Sequence, residues 1–246
     1  MLTNEDVLVV VPAFNEAMSV AGVVREVAQA APRAHILVVD DGSTDATAAA
    51  ARDAGAEVVT NIFNLGVGGA MRVGFRYAAA RHFRVVVQVD GDGQHDPRDL
   101  ARLIDALEDK PHPEVVIGAR FAGEGDYEVP VMRRWAMRLL ARYLSGVAHV
   151  KLTDVTSGFR AHNRAAIELF ARTYPADYLA DTVESLVIAV ENGGVISQVP
   201  VSMRSRTGGT PSQNTGRAAM YLARVSLMLL IALFRHRAPR STTEAA

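Results

Sequence analysis

The sequence predicts an α/β fold: a mainly parallel sheet with helices on both faces, and an apolar C-terminal helix appended. Three observations predict it. Short β-branched apolar runs alternate with stretches of helical spacing through the first half of the chain. The runs are apolar at consecutive positions, as in strands buried on both faces. Polar turns follow them, "PAFNE", "DDGSTD" and "DGDGQHDP" among them, and ligands bind at that edge of an open α/β sheet.

The elements follow in order. "DVLVVVPAF" stops at Pro12 and reads as a buried strand entering a loop. "NEAMSVAGVVREVAQAA" has helical spacing, with Asn15 or Ser19 as its cap. "AHILVVDDGSTDATAAAARDAGA" repeats the plan of strand, acidic turn and Ala-rich helix. "EVVTNIF" is a third strand, and "NLGVGGAMRVGFRYAAARH" a glycine-rich turn entering a helix. "FRVVVQVD" is a fourth strand, "DPRDLARLIDALED" a helix with Pro97 in its first turn, and "EVVIGARF" a fifth strand. The second half is less regular. "EGDYEVPVMRRWAMRLLARYLSG" reads as an acidic loop and a basic amphipathic helix, with Trp135 as a core or interface anchor. "DVTSGFRAHNRAAIELF" reads as a turn and a helix, "DTVESLVIAVENGG" as a helix ended by glycines, and "VISQVPVSMRSR" as a strand. "TGGTPSQNTG" is a loop, and the remainder is an apolar helix followed by a polar tail. The expected boundaries are a catalytic domain over 1–212, the apolar helix over 213–238 and a disordered tail over 239–246.

Composition narrows the function. The chain has 246 residues, 49% of them hydrophobic, enough for one full core with an appendage. With 26 basic and 27 acidic side chains the net charge is -1, so no global field points to nucleic acid. There is no Cys, which excludes disulfides and thiolate metal sites and suits a reducing cytoplasm. The acidic start before a short apolar run is unlike a signal peptide. "SLMLLIALF" is too short to span a bilayer, which takes about 20 apolar residues. It suits a helix lying at a membrane surface, or a contact with a second copy or a membrane partner protein; packing on the catalytic domain is the plainer reading.

The end of the fourth strand carries Asp90, Asp92 and Asp96 close together. Carboxylates this close repel, and burial strengthens the repulsion. A hard divalent cation relieves it. Asp90 and Asp92, two apart in an extended chain, point the same way and can address one ion. The alternative is a solvated acidic turn. Asp96, before Pro97, fits a helix cap, and His95 fits a packing or hydrogen-bonding role better than that of a ligand. The glycines at 66, 68 and 69 allow either close backbone approach to a ligand or tight packing, and Arg72 either reaches phosphate or base, or packs. No Gly-Lys-Ser/Thr follows, so this is not a Walker A loop.

Seven pieces in this order, "VVVPAFNE", "VVDDGSTDAT", "NLGVGGAMRVGF", "VDGDGQHDP", "GARF", "DVTSGFRA" and "RTGGTPS", resemble the inverting family 2 glycosyltransferases of the GT-A (Rossmann-like) fold. The resemblance spans about residues 5–212 and is nearest to the dolichol- and polyprenol-phosphate sugar synthases and their bacterial relatives. It implies that Pro12, Phe14 and Glu16 form the first nucleotide-contacting loop. Val39 and Asp41 would hold the base, Asp41 by accepting its hydrogen bonds. Asp90, Gly91 and Asp92 would be the "DxD" motif that binds Mg²⁺ or Mn²⁺, with Gln94 as a further ligand. Arg120 would lie near the nucleotide sugar, and Arg206 on diphosphate or acceptor phosphate. "YPADYLADTVESL" offers Asp177, Asp181 and Glu184; by the resemblance Asp181 or Glu184 would lie near the acceptor and serve as base if the acceptor is a hydroxyl, while carboxylates favoured at a helix start are the plainer reading. Those synthases usually carry a Lys soon after the last arginine; here Ser212 and Gln213 stand in that neighbourhood. Asp154, Ser157 and Arg160 read either as a grip on phosphate or sugar, or as an Asx turn. Arg133, Arg134, Arg138 and Arg142 form a basic set at helical spacing, for anionic lipid headgroups, for an acceptor phosphate or simply for solvent.

The resulting expectation is an enzyme that moves a sugar from a GDP- or UDP-linked donor to a polyprenyl phosphate, peripheral to the inner face of the cell membrane. A sugar hydroxyl in glycan or glycolipid assembly is the alternative acceptor. A silent nucleotide-sugar-binding subunit is the alternative of another class. A nucleotidyltransferase would show a glycine-rich basic loop after the first strand, which "VVPAFNE" lacks.

Overall fold

The structure, a computed structural model, describes residues 6–120, 141–142, 144–146, 150–175 and 181–204, and only the backbone of Asp181. The apolar runs become strands β1 (Val7–Ala13), β2 (His35–Asp40), β3 (Glu57–Thr60), β4 (Val85–Gln88) and β5 (Val115–Ala119). Two more follow, β6 (Arg160–His162) and β7 (Ile196–Pro200). The helices are α1 (Val20–Ala30), α2 (Thr47–Asp53), α3 (Gly66–Ala80), α4 (Leu100–Asp105), α5 (Arg164–Thr173) and α6 (Asp181–Glu191). One sheet holds all seven strands in the order β3-β2-β1-β4-β6-β5-β7. β6 is antiparallel to both its neighbours; every other pairing is parallel. The expected mainly parallel α/β sheet is therefore present.

β1 is buried at all seven positions because both of its faces are covered. Val7, Val9 and Val11 pack with Val20, Val23, Val24 and Val27 of α1 and with Leu100 and Leu103 of α4. Each such side chain contributes about 1.5–3 kcal/mol on burial. On the other face α3 lies close to β1: a Cβ on Gly74 would stand 2.6 Å from Val10 Cγ1, so that approach needs glycine. Phe75 of α3 meets Phe170 of α5 and His162 of β6, with ring centroids 5.2 and 4.9 Å away. Burial, then the nearby Arg160 charge, pushes His162 down to about 3, so it is a neutral core residue.

β6 departs from the sequence reading, which has a turn leading straight into a helix there. The strand is three residues long, and its outer members are Arg160 and His162, both 1% exposed. Nothing so short and polar carries a strand pattern; the open edges of β4 and β5 make it one. The second expected departure concerns α1: Ser19 holds its N-cap position without a side-chain cap, and its hydroxyl donates to Glu16 Oε2 at 2.8 Å instead. Asp96 caps as expected, accepting from Arg98 N ahead of a 3-10 turn over Pro97–Asp99. The basic set at 133–138, Trp135, Asp177, Arg206, Ser212, Gln213, the boundary at 212 and the whole C-terminal helix lie outside the described residues.

Candidate active site

β4 delivers the acidic loop to the C-terminal edge of the sheet, next to the end of β1. Gly91 fixes that proximity: a Cβ there would lie 3.3 Å from Pro12 O. Asp90 is held from two sides. Gln88 Nε2 donates to its Oδ1 at 3.0 Å, and its own N–H donates to His95 Nδ1 at 3.0 Å. Gly158, two residues before β6, occupies a third side. A Cβ on it would stand 2.8 Å from Gln88 Nε2 and 3.1 Å from each Asp90 carboxylate oxygen. Asp92 Oδ1 accepts from Gln94 N at 3.0 Å, closing a tight turn with Gly93 at φ 77°. The Asp90 side chain stays 37% exposed, so its carboxylate borders solvent at the sheet edge.

These donors fit a small hard divalent cation. The described residues contain no cluster of three or more His, Cys, Asp or Glu side chains around a metal position. Mg²⁺-like ions in phosphate-handling sites need only one or two carboxylates, because substrate oxygens and water complete the shell. Asp90 and Asp92 match that count of carboxylates, and Gly158 leaves the flank of Asp90 free of side-chain bulk.

The far side of the loop is clamped. Arg98 forks onto Asp96, whose carboxyl is pulled down to about 2 chiefly by that hydrogen bonding. Arg204 donates to Asp96 Oδ1 at 2.8 Å and to Glu26 Oε2 of α1 at 2.5 Å. Its backbone N–H reaches Gln94 O at 2.9 Å, and Met203 bridges His95.

The first two strand ends are laced together. Asn15 adopts φ 55°. Its N–H donates to Ser43 Oγ and its Oδ1 accepts from Thr44 N, both at 2.9 Å. Glu16 N donates to Thr47 Oγ1 at 2.8 Å, and Glu16 itself is 8% exposed. Phe14 is 44% exposed at the lip. Asp41 is 2% exposed, and its carboxylate accepts from Asn61 Nδ2, Leu65 N and Gly66 N at 2.7–3.0 Å. It thus satisfies the first N–H groups of α3, a capping task performed from a distant strand end.

Beyond β6 the charges build scaffold. Asp154 is buried and paired with Arg120, whose Nε and Nη2 donate to its two oxygens at 2.6 and 2.9 Å. Burial alone would raise the Asp154 pKa; the Arg120 hydrogen bonds and charge outweigh it and hold the carboxyl below its ordinary range. Asp154 Oδ1 also accepts from Thr156 N, as in an Asx turn. Arg160 donates to Ser157 O, Val155 O and, at the start of α6, to Thr182 O at 2.7 Å and Ser185 Oγ at 3.0 Å. It thereby ties the turn before β6 to the helix that carries Glu184.

Pro12, Phe14, Glu16, Asp90, Gly91, Asp92 and Gln94 accordingly gather at one edge. Others of the expected set are engaged differently. Val39 is fully buried inside β2, so its side chain belongs to the core. Asp41 is occupied by α3. Arg72 lies in α3 and donates to Arg172 O at 3.3 Å, at the C-terminal end of α5. Arg120 faces Asp154. Sequence reasoning missed Gln88 and Gly158 as site residues. The "SGFR" piece and the polar end of β4 were the available signals, but neither says which residue faces which.

An open sheet with one reversed strand and an acidic loop after its central strand is the architecture of the GT-A glycosyltransferases. The chain belongs to glycosyl transferase family 2, whose sequence model matches residues 8–170. It is 30% identical over 232 residues to the polyprenol monophosphomannose synthase of Mycolicibacterium smegmatis, covering 87% of this chain and 84% of that one. It is 32% identical over 209 residues to the undecaprenyl-phosphate mannosyltransferase of Micrococcus luteus, covering 81% and 77%. Among solved structures it shares its fold with glucosyl-3-phosphoglycerate synthase from Mycobacterium tuberculosis, determined with Mn²⁺, UDP-glucose and phosphoglyceric acid. The TM-score is 0.70 at 22% identity, over 96% of this chain and 81% of that one.

Proposed function

We propose that this glycosyltransferase moves a sugar from a nucleoside diphosphate sugar to a polyprenyl phosphate, with Mg²⁺ or Mn²⁺ held by Asp90, Asp92 and Gln94. The supported acidic loop carries this reading: Asp90 is hydrogen-bonded by Gln88 and His95 and flanked by Gly158, beside the loop that follows β1. Two relatives named for polyprenol- and undecaprenyl-phosphate sugar transfer support the acceptor class.

Pro12, Phe14 and Glu16 would border the nucleoside, and Asp41 would shape the base end by holding the 61–66 loop. When bound, the cation supplies positive charge against the leaving diphosphate. Asp90 and Asp92 orient it, and the backbone around Gly91 sets their distance from β1. A phosphate acceptor is already anionic and needs no general base. Asp181 and Glu184 would then serve to place the acceptor, on a helix start that Arg160 anchors, with Arg120 on the sugar side and Arg206 on phosphate. Among the described residues no helix is long and apolar enough to cross a membrane. A polyprenyl phosphate acceptor places the enzyme, on this reading, peripherally at the inner face of the cell membrane.

The test is a panel of UDP- and GDP-sugars with Mn²⁺, Mg²⁺ or EDTA. Melting temperature is read first, then transfer to undecaprenyl phosphate or to a glycan hydroxyl is followed by mass spectrometry. A lipid-linked sugar that forms only with the metal is the expected product. Product confined to the glycan acceptor, or undiminished in EDTA, would refute the reading.

A further inference from the structure

His95 is 4% exposed and sits directly under the acidic loop. Its ring stacks on Phe159, with centroids 4.7 Å apart and 12° between planes. Its Nδ1 accepts the Asp90 N–H at 3.0 Å. A ring nitrogen that accepts carries no proton, so the neutral ring bears its proton on Nε2. Nε2 stands 3.6 Å from Asp90 Oδ2, while Gln88 holds Oδ1. The backbone of His95 is pinned in turn by its bridge to Met203 and by Arg204 N on Gln94 O.

We propose that His95 is a positioning residue that, together with Gln88, fixes the Asp90 carboxylate in the orientation a divalent cation requires. This deepens the functional reading above and rests on it for the cation. One ring nitrogen sets the backbone from which Asp90 projects. The other lies beside one carboxylate oxygen, outside hydrogen-bond length, while Gln88 donates to its mate, so the carboxylate is bonded at one end and bordered at the other before any ion arrives. The stack on Phe159 keeps the ring from rotating and carries the restraint back to β6. Outer partners of this kind typically govern ligand affinity for the ion by about 10–100-fold. A histidine that merely filled space beside Phe159 would be replaceable by any ring of the same shape.

That difference is measurable. His95→Phe keeps the ring and its stack but removes both nitrogens. His95→Asn returns an acceptor near the Nδ1 position. Mn²⁺ dissociation constants are measured on the full chain by water-proton relaxation, with and without UDP or GDP. Metal-free binding of the same nucleotides in EDTA and circular dichroism complete the set. His95→Phe should weaken Mn²⁺ binding at least tenfold and leave metal-free nucleotide binding within twofold, and His95→Asn should recover part of the loss. Mn²⁺ affinity within twofold of wild type in His95→Phe would overturn the proposal. So would an equal loss of metal-free nucleotide binding, the mark of a packing role alone. Should the Phe variant fail to fold, wild-type affinity in both His95→Asn and His95→Gln overturns it. A wild-type chain that binds no Mn²⁺ overturns the cation reading itself, a result visible before any variant is compared.

Discussion

Gly158→Ala tests the site at its tightest point. The added Cβ would fall 2.8 Å from Gln88 Nε2 and 3.1 Å from both Asp90 oxygens, where ordinary contact begins at 3.4 Å. Gln88 is 2% exposed, so its amide has no open solvent to swing into. The amide must give by about 0.6 Å and the carboxylate by about 0.3 Å. Overpacking of this kind costs about 1–3 kcal/mol. For a chain this size that lowers the melting temperature by roughly 2–12 °C. The larger effect falls on chemistry. A misplacement of about 1 Å typically costs on the order of 100-fold in rate, so a few tenths of an ångström at Asp90 should cost roughly tenfold. Transfer to undecaprenyl phosphate is followed against Mn²⁺ concentration, with the donor that most stabilises the wild type. The variant should need about tenfold more Mn²⁺ for half-maximal rate. Half-maximal Mn²⁺ and rate both within twofold of wild type would show that Gly158 does not set the Asp90 position.

Other outcomes follow from the same contacts. Asp92→Asn should reduce turnover at least 100-fold while metal-free nucleotide binding, followed by calorimetry, changes less than threefold; equal turnover would remove Asp92 from the cation site. Arg120→Met leaves Asp154 buried without its cation and should destabilise by about 3–5 kcal/mol in urea unfolding. Asp41→Ala strips the acceptor from Leu65 N and the shorter of two from Gly66 N, which keeps Asn64 Oδ1. It should cost about 1–3 kcal/mol and speed hydrogen exchange at those two amides. Asp96 has its pKa depressed to about 2 from the ordinary 3.8 by its Arg98 hydrogen bonds, against the opposing effect of burial. Its contribution is therefore full above about pH 4 and is lost as pH falls toward about 2. Asp96→Asn should flatten that part of the acid-unfolding curve.

What the sequence disclosed depended on whether the signal was local. β1, β2, β4 and β5 are runs of consecutive apolar residues ended by polar turns, and burial on both faces writes that pattern directly. The acidic pair was visible because its carboxylates stand two residues apart in the chain, although the same residues also suited a solvated acidic turn. β6 was not legible, since Arg160 and His162 look like surface residues until β4 and β5 close around them. Gln88 and Gly158 contribute through a contact that spans seventy residues of chain. Asp41 was expected to face a base; what it holds is the start of a helix whose first residues follow two dozen positions later. The position was readable from the motif, but the direction of its carboxylate depends on how far α3 reaches back toward β2.

The reversal of β6 has a wider consequence. In a wholly parallel sheet, only segments that leave a strand arrive at the binding edge, so each strand lends that edge one loop. A reversed strand brings the segment that enters it to the same edge. Residues 154–159 come from that entering segment, and together with Arg160, the first residue of β6, they serve two clients: Gly158 abuts the carboxylate of the acidic loop, and Arg160 grips the first turn of α6. A change on the α6 side is thus two residues from the glycine that abuts Asp90. On the proposed reading, variation meant to retune the acceptor through this turn would therefore be felt on the donor side as well.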